Sequence, residues 1–261
     1  MKFKTSDHVL IDYSDVGEGQ AVVLLCGLGG KKEIWYSQEQ FLLDQGYRVI
    51  NLDARNQGYS GKTIKGRRIF RHAQDLYELL GHLDIKQFIA IGNSMGASTF
   101  FAYMAQYGCG SILGMIDIDQ SPKMIADHSW AFGFKQLTWE NFPDYLKIPF
   151  GSASYHRLDD SVFIHLQSIQ KAPKYDAHLN YSFLVDHAFQ DWRDVVALMP
   201  VPLLVVAGEN SPYFDPAFAE ATARLAKYGE YEVIGNAGHV LMAEQPSAFN
   251  NILLKFLSRW N

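Results

Sequence analysis

Ile89-Ala90-Ile91-Gly92-Asn93-Ser94-Met95-Gly96 decides the fold of this chain. An apolar, β-branched run feeds straight into G-x-S-x-G, and Ala97-Ser98-Thr99-Phe100-Phe101-Ala102 continues as a helix would. A serine on such a strand-to-helix turn is held in a strained backbone conformation, with its hydroxyl standing clear of the sheet edge. Gly92 and Gly96 suit a turn where strand and helix backbones come too close for a Cβ. The helix that begins near Met95 aims free N–H groups and a positive dipole end at the same point, where an oxyanion would be stabilised. G-x-S-x-G can also be a plain structural turn. The buried strand before it and the helix after it make Ser94 a candidate nucleophile.

Working outward, strand and helix patterns alternate. Val9 to Tyr13 reads as a half-buried strand that the residues from Phe3 to Thr5 could pair with, and Asp15 to Gln20 as a turn. Ala21-Val22-Val23-Leu24-Leu25 and Arg48-Val49-Ile50-Asn51-Leu52 read as buried strands. A helix is expected over 38–45 and another over 69–83, with Leu76, Leu79, Leu80 and Leu83 on one face. Further strands are expected at 87–91, 112–118, 202–207 and 231–234, with helices at 217–227 and 246–259. The pattern predicts an α/β fold with a mainly parallel, doubly wound sheet and an antiparallel start. It breaks between Ser121 and Met199, a stretch rich in aromatics and punctuated by Pro143, Pro149 and Pro173. The expected organisation is therefore an α/β core from 1–120 and 200–261, with a helical cap at 121–199. Most of the cap aromatics must pack it onto the core, and a minority would line an apolar pocket.

Composition narrows the function. The chain has 261 residues, 48% of them hydrophobic, enough for one large α/β domain with an insertion. A net charge of -5 leaves no basic field for a phosphate backbone, so nucleic acid is not an expected partner. The nine histidines are scattered, with no H-x-x-x-H or C-x-x-C pair, so no metal and no cofactor are implied. Lone histidines such as His72, His128, His165 and His187 read most simply as surface or cap residues. Cys26 and Cys109 make no disulfide framework, and Met1 to Asp7 has no apolar signal-peptide core, which points to the cytoplasm. No apolar run approaches the roughly 20 residues that span a bilayer, so a membrane is not an expected partner.

Three further segments fit Ser94. Cys26-Gly27-Leu28-Gly29-Gly30 follows a buried strand and can offer a backbone N–H to an oxyanion. Asn236-Ala237-Gly238-His239-Val240 follows the last strand, where His239 can reach the serine as general base. Serine precedes histidine, with acid candidates between them. Together with Asp53-Ala54-Arg55-Asn56-Gln57-Gly58-Tyr59-Ser60 and Glu244-Gln245-Pro246, these motifs resemble the α/β-hydrolase fold superfamily, and its serine hydrolase, esterase-like branch, over essentially the whole chain. The resemblance implies Ser94 as nucleophile, His239 as base, and the amides of Leu28 and Met95 as the oxyanion hole. Cys26 stands where the family usually has histidine, which leaves the backbone donor in place. Asp53 and Arg55 are tempting as catalytic groups, but in this family that turn mostly shapes the loop beside the entrance.

The acid departs from the pattern. In many relatives the strand matching Leu203 to Ala207 runs into G-x-x-D, and that aspartate orients the histidine. Here the run is Gly208-Glu209-Asn210-Ser211, and serine cannot supply the charge. Asp119, at the C-terminal edge of the preceding core strand, is one replacement, as in the lipase-like and dehalogenase-like branches. Asp215 is the other, although it also suits a helix entry.

The expected function is a serine hydrolase of the carboxylesterase type. It would take small to medium, fairly apolar acyl groups through an acyl-enzyme, with a small-molecule ester-like substrate. Relatives with the same three residues also cleave lactones, thioesters and carbon–carbon bonds next to carbonyls, or perform cofactor-independent perhydrolysis. A hydrolase-like ligand receptor or signalling protein with slow turnover is the alternative of a different class. The apolar cap could also serve as a homodimer surface.

Overall fold

A computed structural model describes residues 1–260. Its centre is an eight-stranded sheet of order β1-β2-β4-β3-β5-β6-β7-β8. The strands are β1 (Lys2–Lys4), β2 (Leu10–Val16), β3 (Ala21–Leu25), β4 (Arg48–Leu52), β5 (Phe88–Asn93), β6 (Ile112–Ile118), β7 (Leu203–Gly208) and β8 (Gly229–Ile234). β2 runs antiparallel to both neighbours, and every pairing from β4 to β8 is parallel. This is the mainly parallel sheet with an antiparallel start that the alternating pattern predicts.

The helices are α1 (Tyr36–Asp44), α2 (Ile69–His82), α3 (Met95–Tyr107), α4 (Asp160–Ser168), α5 (Ala177–Phe189), α6 (Arg193–Leu198), α7 (Ala217–Leu225), α8 (Leu241–Glu244) and α9 (Pro246–Leu257). Parallel strands need crossovers, and these helices cover both faces of the sheet. All of β3 is therefore buried, and its alternate residues feed two cores. Val23 and Leu25 pack with Leu76, Leu79, Phe100 and Phe101 on one face. Val22 and Leu24 pack with Leu42, Phe249, Leu253 and Phe256 on the other. Each such side chain contributes roughly 1.5–3 kcal/mol by leaving water. α3 is buried from Met95 through Met104, which explains why its sequence is apolar all round rather than on one stripe.

β2 runs further than its alternation suggests. Asp15 and Val16 were expected in a turn, yet they pair with Ile50 and Val49. Arg48 holds Asp15 with two hydrogen bonds, 2.8 Å from Nε and 2.7 Å from Nη2, so pairing across the sheet overrides the polar local sequence. Between β6 and β7 the described residues form helices, turns and isolated bridges such as Lys123 with Asp191, and no sheet strand. Among the described residues no helix is long and apolar enough to cross a membrane. His72, which the sequence suggests is a surface or cap residue, is instead buried in the face of α2 that meets the core, while His187 lies in α5, within the stretch read as the cap, and is buried there.

Candidate active site

Ser94 sits between β5 and α3 with φ 55° and ψ −125°, a left-handed conformation that side-chain-bearing residues rarely adopt. Its N–H donates to Ile118 O at 2.8 Å, and its carbonyl accepts from Ala97 N–H at 2.8 Å. Tight packing enforces the turn. A Cβ on Gly92 would strike the Ala97 amide, and one on Gly96 would strike the Leu25 carbonyl.

Asp119 follows β6, also at positive φ (53°), and is completely sealed from solvent. Its Oδ1 accepts from Gly208 N–H at 3.0 Å, and its Oδ2 accepts from Ser211 Oγ at 2.6 Å. The same Oδ2 stands 2.6 Å from Nδ1 of His239. A proton on Nδ1 donated to that carboxylate leaves the lone pair on Nε2. Ser211, which occupies the usual position of the family's aspartate, thus binds the carboxylate that comes from the neighbouring strand. Asp215 is exposed and accepts from Ala217 N–H at 2.9 Å at the start of α7.

The His239 loop is held from three sides. Its N–H donates to Ala153 O at 2.9 Å, and its carbonyl accepts from Asn93 Nδ2 at 2.9 Å. Asn93 also donates to Ile118 O at 3.2 Å, so one amide joins the ends of β5 and β6 to the histidine loop. Glu244 Oε1 accepts from Gly238 N–H at 3.0 Å, and its Oε2 accepts from the amides of Tyr155 and His156, each at 2.9 Å. Tyr213 meets the imidazole edge-on, with ring centroids 4.5 Å apart.

The glycine turn after β3 is pinned by Gln57. Gly29 N–H donates to Gln57 Oε1 at 2.6 Å, and Gln57 Nε2 donates to Gly27 O at 3.1 Å. Gly30 N–H closes back on Gly27 O at 3.1 Å, which leaves the Leu28 amide without an acceptor among the described residues. The Met95 amide is the first of α3 and is likewise free of an intrahelical partner. Cys26 packs beneath this turn, and burial, reinforced by the charge of Asp53, pushes its thiol well up, so it stays protonated.

Asp53 and Arg55 serve the frame. Asp53 accepts from Lys32 N–H at 2.7 Å and Tyr59 N–H at 2.8 Å, while burial pushes it up to about 6. Arg55 donates from Nε and Nη2 to Asp75, both at 2.7 Å. Asp117 lies two residues before Asp119. It is fully buried, and neither oxygen has a hydrogen-bond partner among the described residues. Burial and the nearby charge of Asp119 push its carboxyl well up.

Ser94 and His239 line one cavity of about 570 Å³, whose walls include Leu28, Met124, Phe134 and Phe214. The cavity is large enough for a small organic ligand and mostly apolar, with a few convergent polar groups. Among the described residues no cluster of three or more His, Cys, Asp or Glu could hold a metal ion.

The sequence singles out Ser94, His239, Leu28 and Met95, with Asp119 or Asp215 as the acid; the fold brings Asp119 with the first four to the C-terminal edge of the sheet and leaves Asp215 exposed at the start of α7. Sequence reasoning missed Ser211 as a partner of Asp119, Asn93 as a tie, Gln57 as the brace of the glycine turn, and Glu244 as the anchor of the histidine loop. Glu244 and Gln57 lay within recognised motifs. For Ser211 the only signal was a serine where an aspartate is usual.

A relative described as a non-heme haloperoxidase, from Rhodococcus erythropolis, is 25% identical over 98% of this chain and 99% of its own length. Among solved structures, an esterase from Exiguobacterium antarcticum superposes with a TM-score of 0.83 at 21% identity, covering 98% of each chain. A thermophilic esterase from Thermogutta terrifontis does so with a TM-score of 0.78 at 22% identity, over 99% of this chain and 98% of that one. The model of the alpha/beta hydrolase family matches residues 22–252, and the chain belongs to that family.

Proposed function

We propose that the protein is a serine hydrolase that cleaves carboxylic esters of small to medium, fairly apolar acyl groups. The observation that carries this reading is a single constellation. A serine on a strained turn opens onto an apolar cavity, and the same cavity exposes a histidine held 2.6 Å from a buried carboxylate. In this reading residues 121–199 act as a cap, from which Phe134, Phe150 and Tyr175 join the cavity wall.

In this reading each residue has one role. His239 takes the Ser94 proton on Nε2 while Ser94 Oγ attacks the acyl carbon. The oxygen that becomes negative lies between the amides of Leu28 and Met95 and the positive end of α3. The alcohol leaves with the proton from His239, forming the acyl-enzyme. Water, deprotonated by the same histidine, then releases the acid. Asp119 holds the imidazole in the Nδ1–H form and stabilises the imidazolium. Gly208 and Ser211 keep that carboxylate aimed.

The name of the Rhodococcus relative favours one variation on the second half-reaction. Hydrogen peroxide in place of water would attack the acyl-enzyme and leave as a peracid, with Ser94 regenerated. The slow-turnover receptor reading drew on the missing G-x-x-D aspartate, and with Asp119 against His239 it loses that support.

The test is steady-state hydrolysis of p-nitrophenyl esters of increasing acyl length, with Ser94→Ala beside the wild type. Many turnovers per site in the wild type and none above background in the variant are expected. Equal activity in the two proteins would remove Ser94 from the mechanism.

A further inference from the structure

His187 is the feature of the cavity that ester cleavage as described does not use. It projects from α5, is 3% exposed, and lines the same cavity as Ser94 and His239. Its ring extends a stack of flat side chains. His72 lies over Phe183 at 4.2 Å and 11°, and Phe183 lies 6.2 Å from His187 at 18°. Stacking and the helix fix the ring plane, yet neither ring nitrogen has a hydrogen-bond partner among the described residues. Nδ1 is sealed from solvent and Nε2 is not, and the residue borders the cavity.

Three other buried polar side chains of the wall already hold protein hydrogen bonds, though Gln120 Oε1 and the half-buried Tyr175 hydroxyl have none among the described residues. Gln120 donates to Ser121 O at 2.8 Å, Asn93 ties two loops, and His239 faces Asp119. Lys31 and Lys171 also border the cavity, but Lys171 is exposed and Lys31 half-buried, so their charges are solvated. Leu184 stands one turn earlier on α5, and Met124 and Phe134 line the same cavity. Burial holds the ring down at about 4, so at neutral pH it is an uncharged group with one N–H and one lone pair. A buried polar atom left unpaired is costly, and a neutral one in apolar surroundings is best matched by a neutral partner.

We propose that His187 is a specificity-determining residue that selects ester substrates carrying a second, uncharged oxygen, a keto or hydroxyl group, away from the scissile ester. The inference rests on the hydrolase reading of the site and deepens it. A substrate oxygen replaces the water that would otherwise satisfy Nε2, whereas a methylene at that point leaves the nitrogen unpaired. Discrimination therefore falls mainly on plain alkyl chains.

Two readouts separate this inference from the hydrolase reading. The first is the kcat/KM ratio for p-nitrophenyl oxoacyl esters over their unsubstituted counterparts, with the oxo group walked along the chain. It is compared between the wild type, His187→Phe and His187→Gln, so that intrinsic ester reactivity cancels. At one oxo position the wild-type preference is expected to exceed that of His187→Phe by roughly three- to tenfold, the worth of one hydrogen bond, with partial rescue in His187→Gln, whose amide can reach the Nε2 position. The second is calorimetric binding of the matched methyl esters to Ser94→Ala, with and without His187→Phe, which needs no turnover. The oxo ester is expected to bind more tightly by a similar factor, and the gap to close in the double variant. Melting curves establish that each variant is folded. A preference that His187→Phe leaves unchanged at every oxo position, in rate and in binding, overturns the inference. Absent ester turnover in the wild type overturns the hydrolase reading alone, because the binding readout still decides the role of His187.

Discussion

Two buried carboxylates in this protein, Asp75 and Asp119, are held in opposite ways. Asp75, on α2, accepts from Arg55 at 2.7 Å to each oxygen and from Arg71 Nε at 2.9 Å. Asp7 and Glu78 complete that cluster through contacts with the same two arginines. No Lys or Arg among the described residues forms an ion pair with Asp119. Its donors are a backbone amide, a hydroxyl and an imidazole. In the first cluster opposite charges are matched in the ground state, and the result is rigidity. In the second the carboxylate is held by an amide, a hydroxyl and an imidazole, and in the proposed mechanism its counter-ion is the His239 imidazolium. The first arrangement suits framework, and the second suits the chemistry proposed for the site. Both clusters had sequence candidates in them, and only their partners tell them apart.

The comparison can be broken by substitution, and the largest effect belongs to Asp119→Asn. Ester turnover should fall on the order of 10⁴-fold with the melting temperature little changed, because the amide can keep the geometry but not the charge. Asp215→Asn, measured beside it, should alter the rate by no more than about twofold, the usual scatter of an exposed substitution. Were the two results exchanged, the acid would belong to the later loop.

Arg55→Met reverses the signature. Removing the buried Arg55 takes two of the three hydrogen bonds of Asp75 and leaves Arg71 as its remaining cation, and should cost about 3 kcal/mol of stability, read by denaturant titration. The kcat of the protein that remains folded should stay close to that of the wild type. A large loss of kcat without a loss of stability would turn the Arg55 cluster from framework into machinery.

Ser211→Ala sharpens the other side. It removes a charge-assisted hydrogen bond of 2.6 Å to Asp119 and leaves the Gly208 amide in place. A fall in kcat of about tenfold or somewhat more is expected, with KM nearly constant. An unaltered kcat would make the serine a bystander.

The smallest effect lies in pH dependence. His72 sits beside the arginine cluster, and burial together with the charge of Arg55 lowers it to about 3 from an ordinary value of 6.5. The folded protein then binds fewer protons than the unfolded chain between those values, so stability rises with pH through that window and is lost on acidification. His72→Phe should shrink the fall in melting temperature between pH about 6.5 and about 5 by about 4 °C. An identical slope in the variant would show that other groups carry the acid sensitivity.

How much of this was legible beforehand depends on the range of each interaction. The elbow at Ser94 was readable because its demands are local. Gly92 and Gly96 yield to backbone atoms a few residues away in chain or on the adjoining strand. The buried strands were readable because parallel strands covered on both faces must be apolar throughout. The run of β2 through Asp15 was not, since its pairing comes from Arg48 on another strand.

Sequence by itself determined the class of fold, the candidate serine and histidine and their order, and the short list of acids, all of which follow from periodicity and from motifs that constrain their own backbone. Tertiary structure alone decided that Asp119 rather than Asp215 stands against His239, that Ser211 supports it from 92 positions further along the chain, and that His187 is a buried wall of the cavity. Those outcomes depend on which strand ends meet at one edge of the sheet and on how α5 lies over it. Such contacts join residues far apart in the chain and leave no periodic trace in either segment.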